Sequence, residues 1–181
     1  MSDNKFRYDV FVSPVGELEY PWLTKADTRF DPDGVYQTRM LLPFEEAQEF
    51  IAKLERSRED FFQTLDAGKQ KTYNKLPVFE EEVDDEGERT GNVRFKFKLK
   101  AKVSPKEGDS FEQRPKLSFV DVDDADKPVY GGSRARIKGQ IVPYTNAAGR
   151  SVGVTLRLRG VEVHELVTSG GEGAGYWTSF S

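Results

Sequence analysis

Cysteine is absent from this chain and histidine occurs once, at position 164. The first absence removes disulfides, thiolate metal sites and thiol nucleophiles together, and it suits a reducing compartment. The second leaves little material for acid–base or nucleophilic catalysis, which draws mainly on His, Cys and paired carboxylates. His164 lies between Val163 and Glu165 at the end of an expected strand, where a structural or exposed ring is the expected role. No stretch stays apolar for the roughly 20 residues that a membrane-spanning helix needs. The run Met1 to Val10 has no apolar signal core, so a soluble, cytoplasmic protein is expected. Gly131-Gly132-Ser133 lacks the second glycine and the lysine of a phosphate-binding P-loop and reads as a bend. The acidic clusters at Glu80 to Glu88 and Asp121 to Asp126 lack EF-hand spacing and read as solvated loops. No catalytic residue, metal ligand or cofactor is expected.

What the chain does have is aromatic residues and charge. Thirteen Phe, seven Tyr and two Trp supply the bulk that a disordered chain lacks, although 32% of the residues are charged. The length of 181 residues fits one domain. Residues 1–167 are expected to form it, and residues 168–181, rich in Gly and Ser, to form a flexible tail carrying Tyr176, Trp177 and Phe180. The net charge of −4 is unevenly spread. Phe79 to Thr90 holds seven acids against Arg89, whereas Ser133 to Arg159 holds six bases and no acid. Acidic loops therefore mask basic surfaces in the sum.

Tyr8 to Val12 and Tyr36 to Leu42 read as strands, separated by a loop with turn chemistry at Asp31-Pro32-Asp33-Gly34. Pro43 opens a helix with Ala47, Ile51, Leu54, Phe61 and Leu65 at three- and four-residue steps, acids in the first turn and a candidate break near Ser57. Asp66 to Gly91 reads as a long irregular excursion. Leu117 to Val122 is a short strand, and Arg134 to Tyr144 with Ser151 to Leu166 is a closing hairpin. The class is all-β or α+β, with one helix between strands.

The clearest strand follows Gly91: Val93, Phe95, Phe97, Leu99, Ala101 and Val103 alternate with Arg94, Lys96, Lys98, Lys100 and Lys102. Same-face residues lie roughly 6.6 Å apart, a spacing able to follow an extended nucleic-acid strand. A lysine-studded edge that resists strand pairing would look the same. The pattern recurs, however, with Arg134, Arg136 and Lys138 and again with Arg157 and Arg159, and edge protection needs one strand rather than three. Arginine suits phosphate forks and base stacking. The three basic strands are expected to face one groove. Stacking platforms are sought among aromatics assigned to loops: Tyr20, Trp22, Phe30, Tyr73, Phe111, Tyr130 and Tyr144, of which Trp22, Tyr73, Phe111 and Tyr144 are the chosen candidates.

Three stretches then resemble the single-stranded DNA-binding proteins of T7-like bacteriophages. They are Glu19 to Asp27 running on to Gly34-Val35-Tyr36, the helix entry Pro43 to Phe50, and Gly132-Ser133 through Pro143-Tyr144 to Val163. Order and spacing carry the likeness, over about Ser13 to Leu166. The resemblance implies a five-stranded OB-fold barrel with a helix between strands and sequence-independent coating of single-stranded DNA in phage replication, recombination and repair. It also implies contacts with polymerase and primase-helicase, and a homodimer. The family's acidic C-terminal tail is not matched, since Glu172 is the single acid after Leu166; the run Glu80 to Glu88 is the candidate internal competitor. Phosphate contacts are expected from Lys96, Lys98, Lys100, Lys102, Arg134, Arg136, Lys138, Arg157 and Arg159. An RNA-binding OB protein and a β-barrel interaction module that binds no nucleic acid remain the alternatives.

Overall fold

The computed structural model describes residues 8–120 and 128–167. The expected tail and the acidic turn at Asp121 to Asp126 lie outside the described residues. In chain order the elements are β1 (Asp9–Val12), β2 (Gly16–Asp27), β3 (Val35–Pro43), α1 (Phe44–Phe62), α2 (Ala67–Thr72), β4 (Asn74–Lys75), β5 (Glu80–Val83), β6 (Arg89–Lys100), β7 (Lys102–Val103), β8 (Phe111–Glu112), β9 (Lys116–Phe119), β10 (Arg134–Asn146) and β11 (Ser151–Glu165). The fold is mostly β with one long helix, which lies in sequence between β3 and β6.

The helix begins at Phe44, after Pro43 as its N-cap, whose φ of −61° suits a helix entry. Glu45 and Glu46 then sit where the helix dipole favours acids. Ala47, Phe50, Ile51 and Leu54 face inward at helical spacing. No break occurs at Ser57: its hydroxyl is buried and donates to the Asp9 carboxylate, so the backbone ladder is not diverted. The helix stops at Phe62, short of Leu65. The excursion after it carries more order than its composition suggests, because Asp66 accepts the Lys69 N–H at 2.9 Å and starts the short α2.

The largest departure from the sequence reading is β2. Gly16 to Asp27 was assigned to a loop, yet it is a twelve-residue strand paired with β3. Its alternation is broken by register shifts on either side of Trp22 and by Tyr20, which adopts φ +49° just before Pro21. Leu18 and Leu23 are therefore both buried although an odd number of steps separates them. An irregularity of this kind resets which face a side chain occupies and hides the period of two.

The long strands pair in a circuit. β2 pairs with β3 and β3 with β6, both antiparallel; β6 runs parallel to β11; β11 pairs antiparallel with β10; and β10 returns to β2 through Arg134 opposite Glu17 and Ala135 opposite Gly16. Short strands extend it: β1 on β10, β4 and β9 on β11, and β5 on β6. The inner faces bury Phe11, Leu18, Met40, Phe95, Phe97, Ile137, Ile141 and Leu158 almost completely. Removing each of these side chains from water contributes about 1.5–3 kcal/mol. α1 adds Phe50, whose ring meets Phe95 edge-on at 4.8 Å.

Candidate nucleic-acid interface

Because β6 buries Val93, Phe95, Phe97 and Leu99, the period of two leaves Lys96, Lys98 and Lys100 in solvent. Strand register then gathers neighbours around Lys98. Gln37 of β3 lies opposite it, Trp22 of β2 lies opposite Gln37, Arg157 of β11 lies beside Lys98, and Gln140 of β10 lies opposite Arg157. Five strands thus build one row across the sheet, with steps of about 4.8 Å between strands.

Two clefts share Gln37 and Lys98 and so run together across this row, each of about 720 Å³. Lys100, Arg157 and Arg159 line the first, with Phe30 and Phe111 at its sides. Lys96, Arg39 and Arg29 line the second, with Tyr20 and Trp22. Cations and aromatic rings line both clefts, the combination that sequence-tolerant binding of single strands uses.

Among the described residues, four cations of the first cleft are held by side-chain amides or stand without a carboxylate partner. Gln140 Oε1 accepts from Arg157 at 3.4 Å and from Arg159 at 3.2 Å, and Gln113 Oε1 accepts from Arg159 at 3.1 Å. Among the described residues, no carboxylate oxygen lies within 4.0 Å of Lys98, Lys100, Arg157 or Arg159. Burial lowers the pKa of Arg159, and the neighbouring Arg157 guanidinium lowers it further. Burial is the larger cause and the like charge the smaller, and a bound phosphate would offset both. The other end of β6 is different. Arg94 is largely buried among Glu19 at 2.7 Å, Glu82 at 3.6 Å and Glu80 at 3.7 Å, and its pKa is raised, chiefly by the hydrogen bond to Glu19. Lys96 has Glu80 at 3.9 Å.

Two acids line the first cleft, Asp27 and Asp31, and Asp27 is buried at the end of β2. It accepts from Arg29 Nη2 at 2.8 Å, Arg29 Nε at 2.9 Å, the Arg29 backbone N–H at 3.0 Å and Gln37 Nε2 at 2.9 Å. The Arg29 hydrogen bonds hold its carboxyl far below the usual carboxylate range. Arg29 in turn lies 4.9 Å from the Trp22 ring centre and 5.5 Å from that of Phe30.

Not every residue chosen from the sequence gathers here. Lys96, Lys98, Lys100, Arg157, Arg159, Trp22 and Phe111 line the two clefts. Lys102 does not: the chain bends at Ala101, and Lys102 lines a separate cleft with Asp33 and Glu112. Nor do the basic residues at the start of β10. Arg136 faces a cleft bounded by Glu45, Glu46 and Glu49 of α1 and lies 3.8 Å from Glu162. Arg134 sits opposite Glu17 and Glu165, and Lys138 opposite Gly160. One groove lined by three basic strands is therefore replaced by one lined by β3, β6 and β11. The alternation of β10 runs unbroken from Arg134 to Val142, so Arg134, Arg136 and Lys138 share the outward face of Gln140 but lie farther along the strand, beside β1, β2 and α1. Between the two stretches β10 closes on β11 so tightly that a Cβ on Gly139 would stand 1.8 Å from the Arg157 carbonyl oxygen. Tyr73 ends α2 beside β4, with Lys69 6.0 Å from its ring. Tyr144 is exposed on β10 and covers Gly153, where a Cβ would meet its hydroxyl at 2.8 Å. It follows Val142, which lines the first cleft, on the same face of the strand and so stands at the rim.

Asp27, Arg29, Gln37, Arg39 and Gln140 were missed. The alternation of Gln37 and Arg39 in β3 was readable as a polar face. Nothing local marks Asp27 or Arg29, because their role comes from rings brought together in space. Tyr20 is 72% exposed and Phe30 87% exposed; both were weighed as aromatic loop residues and passed over.

No protein-family model matches the chain. The single-stranded DNA-binding protein of Enterobacteria phage T3 is 27% identical over 196 aligned positions, covering 95% of this chain and 82% of that protein. Among solved structures, gp2.5, a single-stranded DNA-binding protein encoded by bacteriophage T7, superposes with a TM-score of 0.69 at 24% identity, covering 96% of this chain and 94% of that one. The single-stranded DNA-binding protein of bacteriophage Enc34, solved in complex with ssDNA, gives a TM-score of 0.58 at 12% identity, covering 86% of each chain. Along almost its whole length the chain is thus similar in sequence to a phage single-stranded DNA-binding protein, and it shares the fold of the T7 and Enc34 proteins.

Proposed function

We propose that this chain coats single-stranded DNA without base preference, as a binding protein and not an enzyme, and that it does so in phage DNA replication. The observation that carries the reading is the cluster Lys98, Lys100, Arg157 and Arg159, cations without a carboxylate partner among the described residues, set in a groove flanked by exposed aromatics. Phosphates take the places that carboxylates leave empty, and each contact releases counterions, so affinity falls steeply as salt rises. Bases stack on the rings of the groove wall, which every base does through its π face. The names of the T3, T7 and Enc34 proteins support the same ligand.

The architecture of the reading is an OB-type barrel. The circuit of β2, β3, β6, β11 and β10, with its one parallel step between β6 and β11, supports it, and the groove then crosses the face of the barrel where such folds take oligonucleotides. Contacts with polymerase and primase-helicase, and self-association, extend the reading from the resemblance.

The test is a titration of a fluorescently labelled dT oligonucleotide at several salt concentrations, with duplex DNA and matched RNA as competitors. Wild type should bind the single strand, lose affinity steeply with salt and resist the duplex; the RNA competition separates the two nucleic acids. Lys98→Glu and Arg157→Glu should each weaken binding about tenfold or more and reduce the slope of log K against log salt by about one or more. Lys138→Glu, outside the groove, should bind like wild type. Absence of binding at low salt would sink the proposal.

A further inference from the structure

The cation nearest the aromatic wall of the groove is wired differently from the rest. Among the described residues Lys98, Lys100, Arg157 and Arg159 have no carboxylate partner, whereas Arg29 has spent its Nε–Nη2 edge on Asp27, with contacts of 2.9 and 2.8 Å. The paired carboxylate is 2% exposed, yet the Arg29 side chain is 59% exposed. A buried acid in a phosphate-binding groove works against the ligand's charge and carries a desolvation penalty of its own. What it achieves is geometry. With one edge fixed, the guanidinium plane is held near the Trp22 ring at 4.9 Å and the Phe30 ring at 5.5 Å. Gln37, which reaches both clefts, is tied to the same carboxylate at 2.9 Å.

Phe30 adds a second observation. It is 87% exposed, the most open large apolar side chain among the described residues, and Arg29 lies against it. A ring left in water beside a fixed guanidinium is a surface made ready for another flat partner. Its stacking neighbours are immobilised before the ligand arrives, so less conformational entropy is lost on binding.

We propose that Trp22, Arg29 and Phe30 form a nucleobase-stacking subsite in which Arg29 acts through its planar face rather than through its charge, and that Asp27 is the positioning residue that holds it so. This rests on the reading of the groove as a single-stranded DNA site. The buried acid is then a device that converts an arginine from a phosphate contact into part of a base platform, since its charge is already balanced while its side chain stays 59% exposed beside the two rings.

The experiment compares wild type with Arg29→Lys, Arg29→Ala and Phe30→Ala by titration of dT oligonucleotides across a salt series, with thermal unfolding followed alongside. Arg29→Lys keeps the cation and a partner for Asp27 but loses the plane, so it separates the two roles without stranding a buried charge. The expected result is that Arg29→Lys loses affinity about fivefold or more and that the salt slope stays at the wild-type value. Phe30→Ala, at a surface position, should lose affinity to a similar extent. The deficit of Arg29→Lys should disappear on an oligomer that carries abasic sites but keeps every phosphate. A Trp177→Phe background leaves Trp22 as the one indole, and its fluorescence should be quenched by dT and not by the abasic oligomer.

Near-wild-type affinity of Arg29→Lys combined with a slope reduced by about one in Arg29→Ala would identify a phosphate contact instead and overturn the proposal. Wild-type binding by Arg29→Lys, Arg29→Ala and Phe30→Ala together would overturn it as well, leaving Arg29 a structural partner of Asp27. Both outcomes require that wild type binds dT. Failure of wild type to bind at all would instead overturn the reading on which the subsite rests.

Discussion

Asp27 and Arg29 show how a single buried carboxylate organises a surface. The acid is almost fully enclosed and accepts four hydrogen bonds, three from Arg29 and one from Gln37. Hydrogen bonds to the ionised form pull its pKa far below that of an ordinary Asp. The sign of the linkage follows: the native state holds the proton less tightly than the unfolded chain, so Asp27 contributes stability above the ordinary Asp range, and that contribution fades as pH falls below about 4. Asp27→Asn should therefore be less stable than wild type in urea unfolding at pH 7, with the gap narrowing steadily between pH 4 and pH 2. A gap independent of pH would show that the charge is not the source. None of this was legible in the sequence, where Asp27 and Arg29 fall within the stretch read as a loop between the first two strands. The alternating lysines of β6 were legible because a period of two needs no partner to be seen.

At the scale of elements, β6 carries two electrostatic ends. Its middle and C-terminal cations face the open groove, while near its start β5 lies alongside and brings Glu80 opposite Arg94. Hydrogen bonds from Thr90 and Asn92 lower the pKa of Glu82. Together with Glu19 these acids absorb Arg94 and draw on Lys96. The acidic strand thus acts as a stop at one end of the cationic path. Glu80→Gln with Glu82→Gln should release Lys96 and tighten dT binding a few-fold at low salt, the effect shrinking within a Debye length of about 10 Å near 0.1 M salt. Unchanged affinity at low salt would remove the stop from the account. The acidic run itself was conspicuous in the sequence; that part of it forms a strand against the basic one was not, because pairing partners across a turn depend on register, which composition does not encode. The hidden strand β2 failed for a related reason, since the shift around Trp22 scrambles the alternation that would have announced it.

Over the whole molecule, the groove exists because the strand circuit returns to its start. Arg157 reaches Lys98 through the parallel step between β11 and β6, and Gln140 reaches Arg157 through the hairpin of β10 and β11. Gly139 is the tightest point of that hairpin, with room for no side chain beside the Arg157 carbonyl. Gly139→Ala should accordingly lower Tm by about 5 °C or more and weaken dT binding in parallel, because the backbone that must yield is the one carrying Arg157. A variant with wild-type Tm and wild-type affinity would show that β10 closes elsewhere.

The sequence by itself determined the class of the protein, its long helix, the closing hairpin and the basic face of β6. Each of these is written in a local period, 3.6 or 2, that holds whatever the rest of the chain does. It also carried the likeness to phage single-stranded DNA-binding proteins, which rests on the order of short stretches along the chain. Only the tertiary structure decided which basic strands share a groove: β6 and β11 do, and the arginines at the start of β10 do not. It also decided that Arg29 belongs to the aromatic wall and that Asp27 fixes it there. Such facts depend on bulges, bends and cross-strand register, where one residue of slip turns a side chain from one face to the other, and no local pattern records that choice.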